Sequence, residues 1–233
     1  LAKAEPGTRF VFAAVGFETT APVYAVLADT IIKEQIPNVQ LLTALKTMPP
    51  AVRALCKGET KIDGFLAPGH VAVITGEGPW HQLAAAQGLP FVISGFTGEE
   101  LLCSLYALVR LVGQGVCKNL YPAAVRPEGN PAARALVDRY FEPTDAAWRG
   151  LGILPGSGLV LRPQYQHLDA GSAQLTTDAA AHSGCRCAQV ITGAIPPTAC
   201  PLFGTVCTPG TPRGACMVSG EGSCHNAYLN HRM

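Results

Sequence analysis

Hydrophobic and polar positions alternate along residues 9–115 in a way that predicts strands followed by helices. Residues 9–16 (RFVFAAVG) form a continuous apolar, β-branched and aromatic run, which is typical of a parallel strand buried on both faces. Residues 19–35 carry apolar side chains at helical spacing, with Pro22 in the tolerated first turn. The same patterns predict a strand at 39–45, a helix at 49–58, a strand at 62–68, a helix at 81–88, a strand at 90–95 and a helix at 97–115.

The helix at 97–115 carries clear end signals. Thr97 and Glu100 have the spacing of a capping box, and Gly113 or Gly115 can end the helix. Strands that alternate with helices imply right-handed crossovers. The sequence therefore predicts an α/β fold of the Rossmann-like kind, in which a parallel sheet has helices on both faces.

The pattern becomes less regular after residue 118. We expect a helix at 130–143 and one or two strands at 158–168. From about residue 171 the apolar runs shorten, and Gly, Pro, Thr and Cys become frequent. We predict an α/β parallel-sheet domain at 1–118, a connecting α/β segment at 119–170 and a small Cys-rich module at 171–233.

Composition and charge narrow the class of protein. Hydrophobic residues make up 48% and charged residues 14%, which argues against disorder. The formal net charge of +1 favours neither nucleic acid nor an acidic membrane surface as a partner. Neither a membrane span nor a secretion signal is evident, so we expect a cytoplasmic protein. The chain begins with Leu1 rather than Met, so we expect it to be part of a longer protein.

Six of the nine cysteines lie close together near the end of the chain: Cys185, Cys187, Cys200, Cys207, Cys216 and Cys224. Their even number allows disulfides, although the remaining three lie singly among apolar residues, as reduced thiols do. Structural zinc sites usually show paired C-x(2–4)-C knuckles, and here the close pair is C-R-C. An iron–sulfur cluster tolerates irregular spacing and Gly/Pro-rich loops. The residues alone leave these three possibilities open.

Several motifs resemble those of the HypD family, which takes part in maturation of [NiFe]-hydrogenases. They occur in this order: GFETT (16–20), KTMPPA (46–51), IDGFLAPGHV (62–71), ISGFTGEE (93–100), WRGLGILPGSGL (148–159) and CPLFGTVCTPGTPRGACMVSGEGSC (200–224). The family signature C-x14-C-x6-C-x16-C is matched by Cys185, Cys200, Cys207 and Cys224. The resemblance therefore implies a [4Fe–4S] cluster on these four residues, with Cys187 and Cys216 as extra thiols.

The resemblance also implies a function. Such a protein is a scaffold with a redox role rather than a turnover enzyme. With a HypC-like small chaperone and a HypE-like cyanide donor it holds a transient iron that becomes the Fe(CN)2CO unit, and its cluster supplies electrons. The family's C-G-x-H motif and second redox-thiol motif are not found here, so we expect them in a domain before Leu1, against which residues 119–170 would pack.

Loops that follow the predicted strands hold further candidate site residues. Glu18, Thr19 and Thr20 follow the first strand, and His70 follows the third. Because carboxyl ends of parallel strands share one edge, we expect all four at one site, where hydroxyls and helix N–H groups could bind an anionic or cyanide-bearing ligand. The structural alternatives are a helix cap and a loop histidine. The resemblance favours the functional interpretation.

Two other functions remain open from the sequence. A thiol–disulfide redox enzyme similar to ferredoxin–thioredoxin reductase would use the cluster with Cys187 or Cys216. A zinc-stapled α/β binding module would use the same cysteines for structure alone.

Overall fold

The structure, a computed structural model, describes residues 1–56, 61–148, 150–175 and 183–230. Its strands are β1 (Phe10–Gly16), β2 (Val39–Lys46), β3 (Phe65–Pro68), β4 (Phe91–Ser94), β5 (Cys117–Asn119), β6 (Phe141–Trp148) and β7 (Gly152–Leu161). Its α-helices are α1 (Ala21–Lys33), α2 (Met48–Leu55), α3 (Gly69–Thr75), α4 (Gly78–Gln87), α5 (Gly98–Leu111), α6 (Pro131–Tyr140), α7 (Cys187–Ile191), α8 (Ala215–Val218) and α9 (Ser223–Asn230).

The strands form two sheets. The first has the order β1-β2-β7-β6, in which β1 and β2 are parallel and β2 pairs antiparallel with β7. The second has the order β3-β4-β5 and is parallel throughout. All four residues of β4 are buried, because helices α3, α4 and α5 pack against this sheet and cover both of its faces.

The described residues divide into two compact units. The first comprises Leu1–Ala51, Asp63–Asp145 and Pro155–Leu175, and the second comprises the described residues of Val52–Ile62, Ala146–Leu154 and Thr176–Met233. One core of the first unit packs α1 against β2, β7 and the end of α6; its largest buried side chains are Leu41, Leu45, Tyr140, Phe141 and Leu161. The domain ranges predicted from the sequence stay a prediction.

The α/β class, the parallel sheet and helices on both of its faces are confirmed. The expectation of one sheet is wrong in detail, because the strands divide between a mixed sheet and a parallel one. The capping box is confirmed: the Thr97 hydroxyl accepts from the Glu100 N–H at 3.2 Å, and the Glu100 carboxylate accepts from the Thr97 N–H at 2.9 Å. The end predicted at Gly58 for the second helix lies outside the described residues.

Three segments differ from the predicted pattern. α3 was not predicted, since it begins directly after Pro68 without a side-chain cap and is seven residues long. The chain from 158 to 168 is not strand throughout: β7 ends at Leu161, and a 3-10 helix follows at Pro163–Leu168. The predicted helix at 130–143 ends earlier, at Tyr140, where β6 begins.

β1 is a strand as predicted, but the prediction that it is buried on both faces is wrong. Of its seven residues, Ala14 is fully buried, whereas Val11 and Val15 are exposed. The physical reason is its place at the edge of the four-stranded sheet within the described part of the chain. Of the helices described, none is long and apolar enough to cross a bilayer.

Candidate functional site

The second unit brings five of the six C-terminal cysteines into one cluster. Cys187 begins α7, Cys216 lies in α8 and Cys224 lies in α9, whereas Cys185, Cys200 and Cys207 lie in the loops that flank these helices. Four of the six, Cys187, Cys207, Cys216 and Cys224, are buried. Short helices joined by Gly/Pro-rich loops therefore converge on a thiol-rich core.

Three of the thiols are joined by two successive contacts between sulfur atoms. The Cys187 thiol donates to the Cys216 sulfur at 3.0 Å, and the Cys216 thiol donates to the Cys224 sulfur at 3.1 Å. Cys216 is thus the link between Cys187, which is not among the predicted ligands, and Cys224, which is.

Cys185 and Cys224 each interact electrostatically with neighbouring thiols. Burial raises the pKa of Cys185, and the neighbouring thiols of Cys187, Cys200 and Cys207 act in the same direction. Burial also raises the pKa of Cys224, and the same three thiols add to that effect. Cys185 and Cys224 therefore both lie within electrostatic range of Cys200 and Cys207.

Backbone groups approach the sulfur atoms closely. The Arg213 N–H donates to the Cys207 sulfur at 3.3 Å. Next to it, Gly214 leaves room for a neighbour, because a Cβ atom at this position would lie 2.5 Å from the Cys185 sulfur. N–H donors and close backbone approach are what a buried thiolate ligand needs.

Soft sulfur donors are the kind of ligand that an iron–sulfur cluster takes. Five of the six sulfur donors lie in an apolar shell that includes Val190, Leu202, Phe203, Met217 and Tyr228; Cys200 is the sixth and lies outside it. Within the described residues, no group of three or more His, Cys, Asp and Glu side chains could hold a single metal ion. A cubane cluster spreads its four thiolates around four iron atoms, so its ligands need not meet at one point.

Burial of these thiols also affects their pKa values, so binding of a metal to them would depend on pH. A hydrogen bond to Cys216, with burial second, raises the pKa of Cys187 well above its ordinary value. Together with the raised pKa values of Cys185 and Cys224, this keeps thiols of the unloaded cluster neutral at physiological pH. A metal that bound there would release protons, so its binding would be favoured as pH rises.

A second candidate site lies at the carboxyl ends of β1 and β2. Glu18 is 9% exposed, and its Oε1 accepts from the Met48 N–H at 2.7 Å at the start of α2. Pro49 and Pro50 follow and have no N–H to offer. Glu18 Oε2 is buried and has no hydrogen-bond partner in the described part of the chain, and burial raises the pKa of this carboxyl.

The two threonines of this loop differ in role. Thr20 directly precedes α1, but its hydroxyl does not cap the helix; it accepts from the Phe17 N–H at 3.2 Å and closes the loop on itself. Thr19 is exposed. Lys46, at the end of β2, is half-buried, and burial lowers its pKa.

His70 lies elsewhere. It follows β3, in the second sheet, and stacks on the Phe96 ring with 4.1 Å between ring centroids. The expectation that Glu18, Thr19, Thr20 and His70 share one sheet edge is therefore wrong, because their loops leave strands of different sheets. Glu100, beside Phe96, is fully engaged in its capping box.

Sequence reasoning missed one neighbour of the Glu18 loop. Ser157 in β7 is completely buried, and its carbonyl accepts from the Thr47 N–H at 2.9 Å. The adjacent Gly156 N–H is held by Asp145 at 2.9 Å. The available signal was the segment LPGSGL, whose Pro and Gly residues hid the first part of β7, whereas Gly158 and Leu159, which pair with β2, lie within the strand predicted at 158–168.

Replacing Glu18 by glutamine is expected to change the pH dependence of stability. The folded carboxyl has a raised pKa, so the folded state binds more protons than the unfolded state above the ordinary value of 4.5. The free energy of unfolding of the wild type therefore falls as pH rises above 4.5 toward the raised pKa. Glu18→Gln keeps a side-chain oxygen that accepts from the Met48 N–H, but it does not titrate, so the variant does not lose this stability. Thermal midpoints measured on both sides of the window should favour the variant increasingly as pH rises.

Glu100→Gln is the control of opposite sign. Hydrogen bonds from the Thr97 backbone, then from its side chain, lower the Glu100 pKa, so its contribution is present above the unfolded pKa and lost as pH falls. Equal pH profiles for Glu18→Gln and the wild type would contradict a buried, proton-retaining Glu18.

Comparison with known proteins adds family information. The family model described as "HypD: Hydrogenase formation hypA family" matches residues 1–231. The chain is 35% identical over 237 residues to a putative hydrogenase expression/formation protein of Methanocaldococcus jannaschii, covering 100% of this chain and 66% of that protein. It is 39% identical over 248 residues to the hydrogenase maturation factor HypD of Rhizobium leguminosarum, covering 100% of this chain and 64% of that protein.

A third relative, the hydrogenase maturation factor HypD of Cupriavidus necator, is 35% identical over 243 residues, with 98% of this chain and 63% of that protein covered. The chain thus spans a little under two thirds of the length of these curated relatives.

Proposed function

The chain belongs to the HypD family of hydrogenase-formation proteins, and we propose that it acts in hydrogenase maturation as an iron–sulfur scaffold. In this proposal the substrate is an iron atom that becomes the Fe(CN)2CO unit of a [NiFe]-hydrogenase. The observation that carries it is the packing of five cysteines, Cys185, Cys187, Cys207, Cys216 and Cys224, in one apolar cluster of the second unit.

We assign Cys185, Cys200, Cys207 and Cys224 as ligands of a [4Fe–4S] cluster. Bound there, the cluster would supply electrons. The chain's own contribution would be to hold three of these thiolates, those of Cys185, Cys207 and Cys224, in an apolar shell and to aim the Arg213 N–H at the Cys207 sulfur. Such N–H donors and exclusion of water set the potential of a cluster.

The loops of the first unit supply the candidate groups for the iron substrate. Glu18 has an unpartnered Oε2, and its raised pKa favours the protonated carboxyl, which can donate to a cyanide nitrogen. The exposed Thr19 hydroxyl and the Thr20 backbone belong to the same loop. His70, exposed on the other sheet, is assigned a proton-transfer role.

The proposed partners are a HypC-like small chaperone and a HypE-like cyanide donor, and the proposed location is the cytoplasm. The hydrogenase-maturation names of the relatives support partners of this kind. All nine cysteines are free, which suits a reducing compartment.

Metal analysis under anaerobic conditions tests the scaffold. The chain reconstituted with iron and sulfide is expected to be brown and to hold about four irons and four sulfides. It should also be retained on an immobilised HypC-like chaperone. A colourless protein that takes up zinc in place of iron would instead support the zinc-stapled module.

A second candidate function rests on one contact, the 3.0 Å between the Cys187 and Cys216 sulfur atoms. The reduced pair could reduce a substrate disulfide to two thiols and become a Cys187–Cys216 disulfide, which an external one-electron donor would reduce back in two steps through the neighbouring cluster, with uptake of two protons, as in a thiol–disulfide redox enzyme. The double variant Cys187→Ser/Cys216→Ser separates the functions. If redox exchange is the function, it loses disulfide reduction while it keeps its iron, and no HypC-like chaperone is needed by the wild type.

A further inference from the structure

β1 has the sequence of an interior strand in the position of an edge strand. Its residues, FVFAAVG, form an unbroken apolar run, as parallel strands covered on both sides do. Yet Val11 and Phe12 are each 51% exposed and Val15 is 59% exposed. Edge strands that end a sheet usually carry Lys, Pro or a bulge, and β1 contains no Lys or Pro.

Hydrogen bonding shows which backbone groups of β1 point away from β2. The Phe10 N–H donates to Asn38 at 2.7 Å, toward β2. Because alternate residues of a parallel strand bond to the same side, Val11, Ala13 and Val15 direct their N–H and C=O groups to the open side. The Tyr24 hydroxyl confirms this for Val15: it donates to the Val15 carbonyl at 3.0 Å and accepts from its N–H at 3.3 Å.

Tyr24 thus closes the open side of β1 at its C-terminal end. The other two outward-facing residues, Val11 and Ala13, offer two N–H donors and two C=O acceptors with the spacing of a strand. Their side chains lie on the exposed face of the sheet. A row of backbone groups beside apolar side chains fits an extended segment and does not fit a helix or a small ligand.

We propose that β1 docks a further β-strand, supplied by the third of the HypD-family sequence that this chain does not span. The chain covers 66% and 64% of two relatives, so a segment long enough for several strands remains in each. The added strand pairs with Val11 and Ala13 and makes β1 an interior strand. This inference rests on family membership and is independent of the proposed function.

An added strand changes where the Glu18 loop lies in the sheet. With β1 at an edge, the loop that carries Glu18 lies at the end of the outermost strand. With a further strand beside β1, that loop lies between two strand ends, which is where α/β sheets bind their ligands.

Amide hydrogen exchange tests the proposal. We compare the 233-residue chain with a longer protein that carries, in native order, the remaining third of the Rhizobium leguminosarum relative. The Val11 and Ala13 amides are expected to exchange at least about 100-fold more slowly in the longer protein. The Phe12 and Ala14 amides, which face β2, are the internal control and should be protected in both.

Two substitutions sharpen the test. Ala13→Pro removes an outward N–H, so it should leave the melting temperature of the 233-residue chain nearly unchanged but abolish the extra protection of Val11 in the longer protein. Leu102→Lys on α5, at a position 70% exposed in the structure, introduces a charge away from β1 and should leave that protection intact. Circular dichroism checks that each variant folds.

Three results would overturn the proposal. The first is unchanged Val11 and Ala13 exchange in the longer protein. The second is protection in the short chain that rises with its concentration, which would assign the edge to a second copy. The third is sensitivity to Leu102→Lys instead of Ala13→Pro. If the longer protein fails to fold, the aligned amides of the full-length Rhizobium leguminosarum relative decide between the same outcomes.

Discussion

Cys207→Ser is expected to lower the iron content of the anaerobically reconstituted chain by about 10-fold or more, because a serine oxygen is a poor replacement for a thiolate on iron. Cys207 is buried, and its sulfur accepts the Arg213 N–H, so the substitution removes both the proposed thiolate ligand and the sulfur acceptor of that N–H. Iron and sulfide analysis with visible absorption measures the effect.

Two matched variants decide what the loss means. Cys103→Ser changes an exposed cysteine of the first unit and should keep full iron content. Cys216→Ser changes a buried thiol that contacts Cys224 at 3.1 Å but lies outside the predicted ligand set, and it should also keep its iron. Iron loss in Cys216→Ser with retention in Cys207→Ser would contradict the ligand assignment by spacing.

Disulfide-reducing activity, measured together with iron content, separates the candidate functions. If the chain is a scaffold, Cys216→Ser keeps its iron–sulfur cluster but lacks the Cys216 thiol next to that cluster. In a redox enzyme the same variant is inactive, because Cys216 is the residue that joins Cys187 to Cys224. In the zinc-stapled module, neither variant affects iron.

Local signals in the sequence predicted the elements that depend on neighbours in the chain. α5 begins where Thr97 and Glu100 predict, because a capping box is satisfied within four residues. The helix at 130–143 was also found, since the Asn130 side chain accepts from the Ala133 N–H and caps α6. Its end was not found, because Phe141 turns directly into a strand whose partner lies in β7.

Features that depend on distant partners could not be predicted. The division into two sheets is set by which strands pair, and β2 pairs with β7 more than one hundred residues later, at Leu45 and Leu159. The separation of His70 from Glu18 follows from that division. Burial of Glu18 could not be predicted either, because Glu18 lies in a loop and contacts the start of α2, where the Met48 N–H donates to its carboxylate.

The cysteine cluster lies between these cases. Its membership was readable from composition, because six thiols within one Gly/Pro-rich segment are typical of a metal centre or a disulfide framework. Its internal order was not, since the contacts from Cys187 to Cys216 and from Cys216 to Cys224 join residues 29 and 8 positions apart. The spacing of the cysteines in the sequence predicts which of them are candidate ligands, whereas the structure shows which thiols are in contact.

Gly214→Ala is expected to block loading of the cluster without unfolding the chain. Gly214 has φ of −119°, which alanine adopts freely, so the backbone is not strained. The added Cβ would lie 2.5 Å from the Cys185 sulfur and 3.4 Å from the Cys187 Cβ. In the unloaded chain the Cys185 thiol can rotate away, and we expect a change in unfolding free energy of about 1 kcal/mol or less.

A sulfur bound to iron has no such freedom, because its position is fixed by the cluster. Gly214→Ala should therefore lower the apparent affinity for iron by about 10-fold or more, as loss of supporting contacts at metal sites does. Gly220→Ala, where a Cβ meets nothing within 4 Å, is the matched control and should load normally. Full loading of Gly214→Ala would mean that the Cys185 sulfur is free to move in the loaded protein, and Cys185 would then have to be removed from the ligand set.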